Sequence, residues 1–302
     1  MKVSIIILSK NGQECIQKCL DKVCNQNYDH DYEVVVIDSG STDKTLEIIK
    51  KYPLRLYEIS SDDFRHSKTR NLGASFAKGE FVVFLSQDAE PLDENWLYHL
   101  TLPLLKDVWV GAVFGRQIPT KESNPVNRFR VQWIYGEDSF TKSRDSGFEF
   151  PRALFSFSNV NSATRKDLLS RFPFREDLFF CEDVSLAKQL ITNGYTIVYS
   201  SEAPVFHSHN FGIGEAFSRY FDVAVAYKKI GILEETKKIE KEGNKYVLEE
   251  LRYLIKNSHS LWIFYSLINN LIKYMGFKIG CAEQLVPLLL KKKISKYWYR
   301  DA

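Results

Sequence analysis

Glu80-Phe81-Val82-Val83-Phe84-Leu85-Ser86-Gln87-Asp88-Ala89-Glu90-Pro91 is the stretch on which the fold turns. Residues 81–85 form an unbroken apolar run of strand length, as expected for a strand buried on both faces. It ends at a polar corner centred on Asp88, and Pro91 bars the strand from continuing. In an open α/β sheet, ligands collect outside the carboxyl ends of the strands, which is where Asp88 falls. Two upstream segments share this character: Asp38-Ser39-Gly40-Ser41-Thr42-Asp43 after an apolar run, and Phe64-Arg65-His66-Ser67-Lys68-Thr69-Arg70-Asn71 at a helix start. Together the three corners are expected to form one floor.

Working outward, apolar runs predict strands at 3–8, 33–37, 54–59, 110–114 and 195–199. Helical spacing predicts helices at 13–25, from 42–43 onward, 67–78 with Gly79 as a C-terminal stop, 94–105, and 182–193 stopped by Gly194. Strands alternating with such helices imply βαβ units, hence an α/β fold with a mainly parallel sheet flanked by helices. Between 119 and 150 the pattern loosens, with no clean period, as in acceptor-side or lid loops. Residues 158–163 are small and polar. After Gly214 the character changes: 215–230 and 246–274 are helical in period, separated by a Lys/Glu-rich stretch from Glu234 to Lys245. A division near 211 follows, with a catalytic domain over 1–210 and a C-terminal helical region over 211–302.

A chain of 302 residues suffices for a large core without disulfides or structural metal. The net charge of +3 argues against a dedicated nucleic-acid binder. Five scattered cysteines (Cys15, Cys19, Cys24, Cys181, Cys281) lack paired metal spacing and are expected as free thiols. No secretory signal and no uninterrupted apolar span of membrane length are visible, so a cytosolic or peripherally attached protein is expected. The C-terminal third is rich in aromatics and ends in Lys291-Lys292-Lys293, Lys296 and Arg300. Leu261-Trp262-Ile263-Phe264-Tyr265 with Trp298 would supply aromatic anchors beside that charge. A membrane surface, or a helical subdomain packing on the sheet or on a second subunit, are equal alternatives for this region.

Each polar corner has a chemical reading and a plain one. Asp38 could accept hydrogen bonds from a nucleobase or ribose, or belong to a turn in which Ser41 or Thr42 caps the next helix. Asp88 could ligate a hard divalent cation, Mg²⁺ or Mn²⁺, or sit in a surface turn. His207 and His209, two apart, would share one strand face and could complete a metal shell, or simply be exposed. Glu182 and Asp183 open a helix, where the macrodipole favours carboxylates; a general base is the alternative. Arg70 could reach a diphosphate or a base edge, or face solvent.

Taken in order, 3–11, 37–43, Thr69-Arg70-Asn71-Leu72-Gly73, 84–89, Cys181-Glu182-Asp183 and His207-Ser208-His209 resemble the inverting, nucleotide-sugar-dependent glycosyltransferases of family two, with the GT-A fold. Within that class, 64–71, 85–91 and the tail from Lys273 through Tyr299 are similar to bacterial rhamnosyltransferases. The resemblance implies dTDP-L-rhamnose as donor and a growing cell-surface polysaccharide or lipid-linked oligosaccharide as acceptor. It places Ser9, Asn11, Asp38, Ser39, Arg70 and Gln87 at the nucleotide, and Asp88 with His207 or His209 at the metal. Asp183, beside Glu182, would be the catalytic base. Two departures stand out: Ser86 takes the first place of the usual Asp-x-Asp, and Ser67 stands where the subgroup tends to have glycine. A UDP-hexose donor, or a non-catalytic nucleotide- or glycan-binding module, are the rival readings. A dinucleotide oxidoreductase is disfavoured, since no Gly-x-Gly-x-x-Gly follows the first strand.

Overall fold

Val3–Ser9 (β1), Tyr32–Asp38 (β2), Arg55–Glu58 (β3) and Phe81–Ser86 (β4) pair in parallel in the order β3-β2-β1-β4. Helices Ile16–Val23 (α1), Thr45–Ile49 (α2) and His66–Phe76 (α3) connect them as right-sized crossovers. The register decides where chemistry can occur. Ser9 stands opposite Asp38, and Leu8 opposite Ser86, so the carboxyl ends of three strands meet at one edge. Pairing register therefore brings two of the three expected corners, those after β2 and β4, to one edge, and Phe64, His66 and Arg70 of the third line the cleft there. This computed structural model describes residues 1–148, 151–233 and 236–298; Glu234, Tyr299 and Arg300 lie outside them.

The remaining elements are Glu90–Pro91 (β5), Trp96–Lys106 (α4), Val110–Ile118 (β6), Pro125–Ile134 (α5), Phe140–Lys142 (β7) and Pro151–Phe155 (α6). They continue with Asn161–Arg165 (β8), Lys166–Arg171 (α7), Glu182–Thr192 (α8) and Thr196–Phe206 (β9). The chain then turns helical: Ile213–Ile230 (α9), Thr236–Lys256 (α10), Ile263–Cys281 (α11) and Leu288–Ile294 (α12). Past β4 the sheet runs β8-β6-β9-β5, with β8 antiparallel to both β4 and β6, while β6 and β9 are parallel. Successive side chains of the buried strands point to opposite faces. Ile5, Ile7 and Val83 pack on the side of α1 and α4, and Ile6, Ile37 and Phe84 on the side of α8 and α9. Through Phe221, Val225 and Ala226, α9 shares the core of α8.

Several local expectations change in the structure. The loose region at 119–150 contains α5 and β7, and the polar stretch after 158 contains β8. The period-bearing segment 246–274 is two helices, broken where Ser258 takes a left-handed φ of 59°. Neither Ser41 nor Thr42 caps α2; Asp43 instead accepts hydrogen bonds from the Thr45 amide and hydroxyl. Trp298 is no exposed anchor: its ring is buried, and its Nε1 donates to the Asp222 carbonyl.

Gly79 does not stop α3, whose C-cap is Ala77 in an extended conformation. The residue is glycine because the chain runs against β1. A Cβ there would lie 2.5 Å from the Val3 carbonyl carbon and 2.6 Å from the Ser4 amide. Neither backbone atom can yield without shifting β1, so Gly79→Ala is expected to cost about 1–3 kcal/mol, as overpacking does. Chemical denaturation of the variant checks this; an unchanged midpoint would contradict it.

Candidate active site

β9 ends at Phe206, and the chain passes out of the sheet through His207-Ser208-His209 toward the corner after β4. Asp88, His207 and His209 converge there, with one ligand atom of each within 4.8 Å of the others. His207 Nε2 lies 3.6 Å from Asp88 Oδ1, and His209 Nε2 lies 3.3 Å from Asp88 Oδ2. The protonation of His207 follows from its neighbours. Gln117 donates through Nε2 to the Tyr135 hydroxyl and to Ser158 Oγ, leaving Oε1 to face His207 Nδ1 at 2.9 Å. A carbonyl oxygen only accepts, so Nδ1 carries the proton and the Nε2 lone pair points at Asp88. Burial pushes His207 down to about 4, against the opposing pull of Asp88, and His209 is lowered by the same cause.

Neutral imidazole and carboxylate thus face each other as acceptors with no proton between them. That donor set fits a divalent cation. A histidine held in its ligating tautomer by an outer hydrogen bond is a recurring feature of metal sites. Gln117→Leu, which removes that bond, is expected to weaken Mn²⁺ affinity about 10–100-fold. Titration calorimetry with the metal alone reads this, and unaltered affinity would show that Gln117 does not orient His207.

The second group stands at the start of α8. Cys181 precedes it with a left-handed φ of 59°, a conformation costly for a side-chain-bearing residue and found where function fixes the backbone. Glu182 is buried and pairs with Arg70. Asp183 accepts from its neighbour Val184 N at 2.8 Å and from Asn159 N at 3.4 Å. Burial, then the adjacent Glu182 charge, push its carboxyl up to about 7, while Arg70 partly offsets them. A carboxylate titrating there suits proton transfer near neutrality.

The corner at the carboxyl ends of β1, β2 and β4 is tightly knit. Ser9, Ser39, Arg70, Gln87, Asp88 and Asn159 line one cleft. Gln87 receives the Lys10 amide on Oε1 and returns Nε2 to the Lys10 carbonyl, clamping the ends of β1 and β4 together. Asn11 and Asp38 lie outside the cleft lining. Asn11 Oδ1 accepts from the Thr42 amide, and Asp38 is fully buried, accepting from the Ser41 amide and hydroxyl. Ser67, at the departure noted above, is buried and donates to the Leu178 carbonyl, tying α3 to the segment leading into α8. Sequence reasoning missed Gln117 and Tyr135, for which single positions carry no signal. It also passed over His66, which lines the cleft with an unpartnered Nδ1 and is pushed down to about 4 by burial and then by Arg70.

A cleft at the strand ends, a metal-ready triad and a neutral-range carboxylate are parts that a sugar-transfer enzyme could use. Residues 4–172, over half the chain, match the family described as glycosyl transferase family 2; the chain belongs to it and is a glycosyltransferase. Over nearly its whole length it is similar to the O-antigen chain rhamnosyltransferase RfbN of Salmonella typhimurium, 33% identical over 307 residues covering 98% of this chain and 95% of that one. The O-antigen chain rhamnosyltransferase WbaN of Salmonella anatum is 34% identical over 268 residues, covering 88% and 84%. Among solved structures, Staphylococcus aureus TarS 1–349 in complex with UDP-GlcNAc has a TM-score of 0.60 at 20% identity, covering 98% of this chain and 84% of that one. The mannosyltransferase PcManGT from Pyrobaculum calidifontis, in complex with GDP-Man and Mn²⁺, has a TM-score of 0.56 at 20% identity, covering 97% and 79%. At such identities the structures speak to the fold alone, which is GT-A.

Proposed function

We propose that the protein is an inverting rhamnosyltransferase. It moves L-rhamnose from dTDP-L-rhamnose to a hydroxyl of a growing cell-surface polysaccharide or lipid-linked oligosaccharide. The observation that carries the chemistry is Asp183, a carboxylate poised near neutrality and bonded to the amide of Asn159, which lines the same cleft as Asp88. The near-full-length similarity to two O-antigen chain rhamnosyltransferases supports the sugar.

Asp183 takes the proton of the acceptor hydroxyl as its oxygen attacks the anomeric carbon from the face opposite the diphosphate. The bond from that carbon to the diphosphate oxygen breaks, and the electron pair leaves with the nucleoside diphosphate. Glu182 holds Arg70 and, by its charge, keeps Asp183 basic. Asp88, His207 and His209 would hold the cation; when bound, it offsets the negative charge growing on the departing diphosphate. Two imidazoles with one carboxylate favour Mn²⁺ over Mg²⁺, which prefers an all-oxygen shell. Ser9, Ser39 and Gln87 shape the nucleotide corner, with Asn11 and Asp38 behind them bracing its backbone.

Residues 211–302 would meet the cytoplasmic face of a membrane, where a lipid-linked acceptor resides. Among the described residues no helix is long and apolar enough to cross a membrane. However, α11 and its approach expose Leu261 at 96% and Phe264 at 75%, and Leu289 at 80% leads into exposed Lys292 and Lys293. Apolar side chains next to basic charge complement an anionic lipid surface.

Thermal unfolding with dTDP, UDP and GDP, each with and without Mn²⁺, tests the donor. A ligand at a hundredfold excess over its Kd stabilises the native state by about 2.7 kcal/mol. A metal-dependent shift with dTDP is expected. A shift with UDP instead would discard rhamnose and keep the chemistry, since the two differ at the thymine methyl and the ribose 2′-hydroxyl. No shift with any nucleotide would overturn the donor reading.

A further inference from the structure

Phe211 lies between the metal-ready triad and two arginines from elements distant in sequence. Its ring centroid is 5.5 Å from that of His209. The guanidinium of Arg219, on α9, is 4.3 Å from the Phe211 centroid, and that of Arg130, on α5, is 5.6 Å away. Cation–π contact of this kind orients a guanidinium without neutralising it. Among the described residues, neither arginine has a carboxylate partner within ion-pair distance. Arg130 Nε is also buried without an acceptor.

The contrast with Arg70 is direct. Arg70 was the expected phosphate contact, yet Glu182 already answers its charge. Arg219 is held from three sides and answered by none. It packs against Phe180, 5.4 Å from the ring centroid, and donates to the Tyr297 hydroxyl at 3.3 Å. Tyr297 in turn stacks on Phe180, centroids 4.6 Å apart and planes within 7°. Asp222 anchors this tail segment by accepting from Ser295 Oγ and the Lys296 amide. Fixed, uncompensated donors beside a reaction centre stabilise charge that appears during the reaction.

We propose that Arg219 and Arg130 form the seat for the β-phosphate of the donor, receiving the charge that collects there as the sugar departs. This rests on the nucleotide-sugar reading and adds two residues to it. The C-terminal segment 295–298 becomes part of the machinery as the positioning support of Arg219.

The test compares dTDP with dTMP, which lacks the β-phosphate, by calorimetry on the full chain, in EDTA and with Mn²⁺. Wild type is expected to prefer dTDP under both conditions. Arg219→Gln and Arg130→Gln should each reduce that preference about tenfold or more, with dTMP affinity within about twofold of wild type, and Arg219→Lys should restore part of it. Equal losses for dTDP and dTMP, or an unchanged preference, would overturn the proposal. So would an increase in the KM for acceptor with unaltered dTDP affinity, which would place the acceptor's own phosphate in the seat. If wild type binds uridine nucleotides instead, the UDP/UMP ratio is read in the same way. Wild type binding neither pair would overturn the parent reading and this one with it.

Discussion

Asp183→Asn is expected to lower turnover about 10²–10⁴-fold, the range contributed by a positioned general base, while dTDP affinity stays near wild type. The substitution keeps the shape of the side chain and one acceptor oxygen, so the 2.8 Å bond from the Val184 amide can persist, while the longer bond from the Asn159 amide, which lands on the other oxygen, is given up. It also removes a charge that burial and Glu182 disfavour, so thermal stability should hold or rise. The pH profile supplies an independent reading. A base works in its deprotonated form, and the Asp183 carboxyl is raised to about 7; wild-type kcat should therefore climb as pH rises through about 7 and level off above it. The residual activity of Asp183→Asn should lack that limb. Loss of nucleotide binding together with turnover would mean that Asp183 supports the fold, and retained turnover would assign the base elsewhere.

The parts of this site differ in how visible they were in the sequence, and the reason is physical. The parallel strands β1, β2 and β4 are buried on both faces, so hydrophobicity alone marks them, and their polar ends mark the floor. β8 is equally buried, but its sequence is Asn-Ser-Ala-Thr-Arg. Two of its polar side chains find partners inside the protein: Asn161 receives Trp96 Nε1, and Ser162 donates to Asn159. A buried strand built from such polar residues leaves no apolar pattern to read.

The same limit explains the site residues. Asp88, Asp183 and the two histidines each have a plain reading when taken alone, and it is their order and spacing along the chain that singles them out. Gln117 acquires meaning only through His207, ninety residues later, because the contact depends on β6 and β9 lying side by side. Arg130 and Arg219 look like any helical arginine until Phe211 is seen beneath both. Fold alone would not have assigned the chemistry, since one architecture hosts many activities; the family match gives the class of reaction, and the convergence of these side chains supports the roles proposed for them.

Asp88→Ala is expected to abolish the Mn²⁺ dependence of dTDP binding and to reduce turnover by about 10³-fold or more, as the loss of several kcal/mol of charge stabilisation implies. The size follows from the ligand set. Ser86 occupies the place where a second carboxylate would stand, so Asp88 is the one anionic member of the triad. Without it, two neutral imidazoles face the cation, and neither can offset its charge. His207 remains oriented by Gln117, so the variant should keep its fold and its metal-free nucleotide affinity. That combination separates a ligand from a mere partner of the histidines. If Asp88 only formed ion pairs with His207 and His209, both would need protons, yet burial lowers both and the Gln117 bond leaves Nε2 of His207 bare. Calorimetry of dTDP binding with and without Mn²⁺, on wild type and Asp88→Ala, reads the difference. Unchanged Mn²⁺ dependence in the variant would remove Asp88 from the metal site and leave the cation to the phosphates and histidines.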